Sequence, residues 1–363
     1  MKRRAPKKNS PGIDRNLLII TLLLTFLGLV AVADASAPVA IQRFSDKFYL
    51  LKQQAFWAFI GVVLMIVLSK VNYKVWEKFA TTILFVNMFA LILVFVPGLG
   101  IRVLGAKRWL DFGFFSFQPS EFIKLALVIY FAKLYSRNKK FFSYIVPLFL
   151  ISLLIMLQPD LGTTLVIVTT SIIQIFVTGV SLLQVFLLGI VGIIGSFLLI
   201  IASDYRRERL TTFLKLSRDP LGEGYHIRQV LLALGSGGLW GVGLGHSRQK
   251  YLFLPETATD SIFAIIAEEV GFLGASVLLL LIGIFIFRIF SLAKKAPDNF
   301  SYMLAIGVAS WISIQTIFNI GSMVALIPLT GIPLPFISYG GSSLMTMLIG
   351  IGILLNISRY AKK

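Results

Sequence analysis

From Leu17 to Ile357 the chain returns again and again to apolar runs with few polar residues between them. Roughly 17–25 apolar residues cross a bilayer as a helix, which satisfies its own backbone where no water is present. Bilayer is therefore the solvent this chain has to meet. Composition agrees, since 57% apolar residues against 14% charged leave too little polar surface for a soluble domain of this length. The runs fall at 17–33, 56–68, 79–96, 119–134, 144–157, 161–177, 185–201, 262–287, 302–320 and 344–357. They predict an all-α polytopic membrane protein of about ten spans. The first run has the basic flank and small residues (Ala33, Ala35) of a signal peptide, but its length favours a retained helix.

The predicted organisation is a basic cytoplasmic tail over 1–15, a single transmembrane domain over 16–358 and a cytoplasmic C-terminus over 359–363. Lys and Arg favour cytoplasmic loops. Lys70, Lys74, Lys78, Lys133, Arg137, Lys139, Lys140, Arg288, Lys294 and Lys295 fall in or beside alternate loops, which puts both termini of a multi-pass cell-membrane protein in the cytoplasm. The outer loops are then 97–118, 204–260 and 321–343, and the first two are basic against the rule. Loop 204–260 is also long, and its glycine-rich stretch Val230–Leu244 reads as re-entrant or interfacial helix beside a cavity open to the outside. A formal charge of +18, carried beside apolar runs, points to membrane lipid headgroups and not to nucleic acid. Cysteine is absent and His226 and His246 are the only histidines, so disulfides and thiolate chemistry are excluded and a Cys/His metal site nearly so. No internal repeat stands out, which weakens an inverted-repeat transporter.

Carboxylates beside apolar spans are costly there and are candidates for function: Asp34, Glu121, Asp160, Asp204, Asp260, Glu268 and Glu269. The densest group is Leu254-Pro255-Glu256-Thr257-Ala258-Thr259-Asp260, running into the span with Glu268 and Glu269. Pro255 stops a helix, and Thr259 or Asp260 is the natural N-cap of the next. Asp260 then reads either as a cap or as a base at the outer mouth; Glu269 reads as half of a structural ion pair. In Lys107-Arg108-Trp109 and Pro119-Ser120-Glu121-Phe122-Ile123-Lys124, Glu121 and Lys124 share a helix face. Lys107 and Arg108 suit either a plain basic turn or a grip on pyrophosphate oxygens, with Trp109 against a sugar or a lipid. Asp160 stands at another helix start, where alone it is a cap. Finally Thr330 to Ser343, dense in Pro, Gly and hydroxyls, offers backbone to a sugar or phosphate at Ser338, Gly340 and Gly341, or is a plain structured turn.

Five motifs, GAKRW, FQPSEFIK, QPDLGTT, GSGGLWGVGLGHSRQKYLFLPETATDSIFAIIAEEVGFLG and GIPLPFISYGGSSL, taken in order resemble the SEDS family (shape, elongation, division and sporulation). The GLGHSRQKYLFLPE stretch is more similar to the division branch, FtsW, than to the elongation branch, RodA. The resemblance implies a ten-helix fold with a large extracytoplasmic loop between spans seven and eight. It also implies an inverting peptidoglycan glycosyltransferase acting on lipid II, partnered by a class B penicillin-binding transpeptidase and other division or elongation proteins. The family's essential aspartate falls on Asp260, its tryptophan on Trp109, and its glutamate and lysine on Glu121 and Lys124. One departure stands out: the family commonly reads His-Thr-Asp-Phe where this chain has Ala258-Thr259-Asp260-Ser261.

On that resemblance, Asp260 deprotonates the acceptor's GlcNAc 4-hydroxyl, which attacks the donor's MurNAc anomeric carbon with inversion to a β-1,4 link. Undecaprenyl pyrophosphate leaves, met by Arg108, Lys107, Lys124 or Arg248. Lys250 and Glu256 are counted with the substrate-binding residues, and Glu268 stands behind them. A divalent cation (Mg2+ or Mn2+) is admitted but not required, and no metal ligand is assigned. The rival readings are a lipid II flippase, which needs a polar path to the cytoplasmic face, and a non-catalytic division scaffold, for which Asp260 is silent.

Overall fold

The computed structural model describes residues 12–103, 106–113, 116–201, 207, 211, 223–251 and 253–361. Nine of the ten predicted runs lie within helices, and the run 79–96 overshoots its helix, which ends at Leu93. The helices are α1 (Arg15–Phe44), α2 (Tyr49–Leu68), α3 (Lys74–Leu93), α4 (Pro119–Ser136), α5 (Phe142–Leu157), α6 (Leu161–Val177) and α7 (Leu182–Ile201). A further helix, α8 (Glu223–Ser236), precedes α9 (Ile262–Lys294), α10 (Asn299–Met323) and α11 (Gly341–Ser358). Among the described residues, 6 helices are long and apolar enough to cross a membrane: α1, α2, α3, α9, α10 and α11. The helices α5 and α6 and the Leu182–Gly192 part of α7 are shorter apolar helices.

Three local signals decide where helices begin and end. Asp14 caps α1 by accepting from the Leu17 N–H, and α1 runs through Pro38 to a left-handed Ser45, well past the predicted end at Ala33. Pro119 opens α4 at a position where its missing N–H costs nothing. Asp298 and Ser301 form a reciprocal capping box at α10.

Two expectations are corrected. The fold is not purely α-helical: β1 (Gly100–Val103), β2 (Ala106–Asp111) and β3 (Ser116–Phe117) form an antiparallel sheet in that order. Ile101 pairs with Trp109 and Leu110 with Phe117. Turn glycines Gly98 and Gly113, both at positive φ, bound strands too short for a periodic signal. The second correction concerns Val230–Leu244, which is helical only to Ser236; Gly238, Gly241, Gly243 and Gly245 then take positive φ, closed to most side chains. Residues 1–11 of the tail predicted over 1–15, and most of 202–222 with Asp204, lie outside the described residues.

The helices α4, α10 and α11 are buried on most sides and make the centre of the bundle. Close approach depends on small residues, as expected where lipid supplies no hydrophobic drive between helices. A methyl on Gly61 of α2 would meet Leu348 Cδ1 at 2.5 Å, and one on Gly352 of α11 would meet the Met65 carbonyl at 2.8 Å. A second apolar cluster joins Leu84 and Leu91 of α3 to Phe131 of α4 and to Tyr144 and Ile155 of α5. Outward, Phe59, Phe149, Phe186, Val277, Leu280 and Phe287 are more than half exposed, a surface suited to acyl chains and not to water.

α9 is broken at Gly271 (φ 69°, ψ −176°). The glycine-rich turn after α8 repairs the break. Val242 and Gly243 N–H groups donate to the Glu268 and Glu269 carbonyls, while Phe272 and Leu273 N–H groups donate to the Gly238 and Leu239 carbonyls. Irregular backbone inside a membrane protein persists only when it is satisfied in this way.

The bundle has two chemically distinct ends. At one, the N–H of Asp14 donates to Ser358 Oγ, its carboxylate accepts from Arg288 Nε at 2.8 Å, and the Tyr73 hydroxyl donates to Asp298. A cavity of about 330 Å³ opens there beside Arg15, Arg288 and Lys295. Asp34, Lys250, Asp260 and the loop from 324 to 340 gather at the other.

Candidate functional site

Asp260 sits in the turn before α9, partly exposed. The N-cap is Ser261, beyond both Thr259 and Asp260, which the sequence offered, because the chain is drawn into successive turns in which the Thr259 and Ser261 N–H groups both donate to the Glu256 carbonyl. Asn319 of α10 clamps the turn from below: its Nδ2 donates to the Asp260 carbonyl at 2.9 Å and to the Ile332 carbonyl at 2.8 Å. Ser338 Oγ donates to the Thr259 carbonyl at 2.5 Å, and the Tyr339 N–H to the Ala258 carbonyl at 2.8 Å. The carboxylate faces Gly331, where an added Cβ would stand 3.5 Å from Oδ2.

The loop from 324 to 340 is the platform of the site. Gly28 of α1 allows the Phe336 carbonyl to approach where a methyl would stand 2.0 Å away, and Gly162 of α6 does the same for the Thr330 carbonyl at 2.3 Å. Gln54 of α2 accepts from the Gly340 N–H at 3.1 Å and donates to the Ser338 carbonyl at 3.3 Å. Gly341 leaves room for the Trp57 ring, 2.2 Å from where its Cβ would be. The Tyr339 hydroxyl donates to Gln53 Oε1 at 2.6 Å, and burial pushes its pKa up to about 12. Ser338 is thus buried as a strut, while Gly340 and Gly341 stay partly exposed.

Behind Asp260, the two glutamates of α9 gather the segment from 245 to 250. Glu268 accepts from Ser247 Oγ and from the Arg248 N–H at 3.1 Å. Glu269 accepts from the Gly245 N–H at 3.0 Å, the Ser247 N–H at 3.1 Å and Lys250 Nζ at 2.7 Å. Lys250 Nζ also reaches Asp34 of α1 at 2.7 Å. Burial works against the lysine's charge, but its hydrogen bonds to Asp34 and Glu269 win and hold its pKa above the ordinary value. The ion pair expected for Glu269 is present, and Lys250, 3% exposed, is its partner, turned inward and not toward a substrate. Arg248 and Glu256 are exposed; Glu256 takes positive φ and accepts from Thr259 Oγ1 at 2.8 Å.

The second predicted group lies one helix face away. Lys124 Nζ meets both Glu121 oxygens at 2.8 Å and Gln315 Oε1 at 3.1 Å, over the Trp311 ring at 5.4 Å. A cavity of about 10 Å³, near one water in size, opens beside Lys124, Thr170 and Ser171. Gln315 and Asn319 are i and i+4 on α10 and so share a face. Gln315 holds Lys124 and the Pro333 carbonyl, and Asn319 holds Asp260 and Ile332. Arg108 on β2 donates from Nε to the Gln158 carbonyl at 3.2 Å and from Nη2 to that of Pro159, a use of the guanidinium that sequence did not suggest. Asp160 caps α6 through Thr163, N–H at 3.0 Å and Oγ1 at 2.9 Å. Lys107 and Trp109 are partly exposed on β2. Gln54, Gln315 and Asn319 were missed by sequence reasoning; the usable signal was a carboxamide inside an apolar helix, which has to find partners there.

Among the described residues no three His, Cys, Asp or Glu side chains are grouped to hold a metal ion. Those residues make no protein cage for Mg2+ or Mn2+.

The profile of the cell cycle protein family of FtsW, RodA and SpoVE matches residues 14–363. Stage V sporulation protein E of Bacillus subtilis is 45% identical, with 98% of this chain and 99% of that one covered. A relative named "Probable peptidoglycan glycosyltransferase FtsW", from Trichlorobacter lovleyi, is 39% identical over 96% of this chain and 94% of its own. Among solved structures, a chain of a peptidoglycan synthase complex, studied for its structural coordination of polymerization and crosslinking, superposes with a TM-score of 0.79 at 28% identity, covering 96% and 98% of the two chains. The rod shape determining protein RodA of Thermus thermophilus superposes with a TM-score of 0.71 at 28% identity, covering 97% and 98%.

Proposed function

Because this chain belongs to the FtsW, RodA and SpoVE family, we propose that Asp260 is the general base with which it polymerises lipid II. The protein is a multi-pass membrane peptidoglycan glycosyltransferase. The supporting observation is the clamp on residues 258–260: α10 and the platform loop hold the backbone on both sides of Asp260 while leaving its carboxylate beside Gly331, partly exposed. A base must be held within hydrogen-bond reach of the proton it removes, and such a clamp supplies the rigidity.

In the proposed reaction Asp260 takes the proton from the acceptor's GlcNAc 4-hydroxyl as that oxygen attacks the donor's anomeric carbon. Configuration inverts, and undecaprenyl pyrophosphate leaves. Arg248, exposed beside Glu268, and Lys107, partly exposed on β2, are the cations to which we assign the pyrophosphate's developing charge. Arg108, Asp160, Glu121, Lys124 and Lys250 serve instead by fixing the walls. The active site faces outward and both termini lie in the cytoplasm, because the opposite end carries Arg15, Arg288 and Lys295. The partner is a class B penicillin-binding transpeptidase, a reading supported by the likeness to a synthase complex. Septal synthesis, in division or sporulation, is favoured by likeness to both FtsW and the stage V sporulation protein.

Purified protein with labelled lipid II and the transpeptidase, read as glycan length on a gel, tests the assignment. Asp260→Asn should insert and fold yet lose about 10²–10⁴ in rate. Glycan synthesis near the wild-type level would refute it.

A further inference from the structure

His226 lies in the first turn of α8, and its Nε2 stands 2.7 Å from Ser261 Oγ. Ser261 is fully buried, is the N-cap of α9, and follows Asp260 directly. A serine in that position ordinarily turns its oxygen to the first free N–H groups of its helix. This one makes no such bond; the hydroxyl is turned to the imidazole of a different helix.

The imidazole thus reaches from α8 to the turn that carries Asp260. Asp260 is gripped on its own carbonyl by Asn319, and its neighbour is gripped from the opposite side by His226. The other histidine, His246, is exposed and lies beside the Leu244 carbonyl, at 3.0 Å, so His226 is the one that the fold brings to this turn.

We infer that His226 is a positioning residue for the reaction: acting through Ser261, it sets the orientation of the Asp260 carboxylate. The inference rests on the reading of Asp260 as base, and it predicts an effect on turnover and not on substrate affinity.

The experiment compares His226→Ala, Ser261→Ala, the double variant, His226→Gln and Asp260→Asn. Each is assayed for kcat and KM with lipid II in the presence of the transpeptidase, after thermal unfolding in detergent has shown that it is folded. The expected results are a fall in kcat of about tenfold for each alanine variant with KM within about twofold, and a double variant no worse than either single one. His226→Gln, whose carboxamide can bond the same hydroxyl, should recover most of the loss. Wild-type kcat in His226→Ala, or losses that multiply in the double variant, would overturn the inference. Should His226→Ala fail to fold, a folded His226→Gln with kcat reduced tenfold overturns it and one near wild type supports it. An inactive Asp260→Asn beside a silent His226→Ala sinks this inference alone, whereas an active Asp260→Asn sinks the reading of the base as well.

Discussion

Lys250 shows how one side chain can hold three parts of the chain at once. Its ammonium bridges Asp34 on α1 and Glu269 on α9, and its own segment is pinned to Glu268. Removing one partner of a buried ion pair leaves the other charged and desolvated, at a cost of about 3–5 kcal/mol. Lys250→Met should therefore melt far below wild type in detergent, and Lys250→Met with Glu269→Gln should recover part of the loss, since glutamine carries no charge and its one carbonyl oxygen still accepts from the Gly245 or the Ser247 N–H. The pH dependence has a definite sign. A lysine whose folded pKa lies above 10.5 stabilises in full below that value and loses its contribution only as pH rises through the folded one. The gap in melting temperature between wild type and Lys250→Met should thus be the same at pH 6 and pH 9. Sequence alone named Lys250 and Glu269 but not their pairing, because the segment that carries Lys250 leaves a turn whose path depends on four glycines at positive φ.

The helices were legible because ten apolar runs announce themselves in any register, and Pro119 and Asp160 mark starts that the fold uses. The small sheet was not, because β3 has two residues and β1 four, below the length at which alternation can be read. Neither was the break in α9, since a lone glycine in an apolar run is ordinarily tolerated. Gly271→Ala should show that the break is required: its methyl would lie 2.3 Å from the Gly241 N, and positive φ with an extended ψ adds about 1–3 kcal/mol of strain. A lower melting temperature is expected, with weaker polymerisation because the same turn carries the N–H groups that hold Glu268 and Glu269. The start of α10 makes a separate prediction. Burial would raise the pKa of Asp298, but the Ser301 N–H, the Tyr73 hydroxyl and the Ser301 hydroxyl hold it below 3.8. Its contribution is present above that value and is lost as pH falls through the folded one. Asp298→Ala should cost about 1 kcal/mol at neutral pH, and acid titration of stability should show the difference closing below pH 3.8.

At the scale of the whole molecule the bundle has one end with a basic-rich cavity and another that carries the proposed reaction chemistry. Arg15, Arg288 and Lys295 surround the cavity at the first end, where the anionic cytoplasmic leaflet would meet them. Asp260, Glu256 and Arg248 share the second. Between them Lys124 of α4 is held by Glu121 and by Gln315 of α10, a buried cluster that ties two central helices together. A polymerase that takes its substrate from the outer leaflet needs only one open end, and that geometry makes orientation a test of function. The chain has no cysteine, so single replacements report without background. Glu256→Cys, at an exposed position beside the proposed base, should react in intact cells with a maleimide that cannot cross the membrane. Lys295→Cys should react only after the membrane is opened. The reverse pattern would place Asp260 in the cytoplasm, away from the growing wall, and the assignment of the outer turn as the site of glycan synthesis would fall with it.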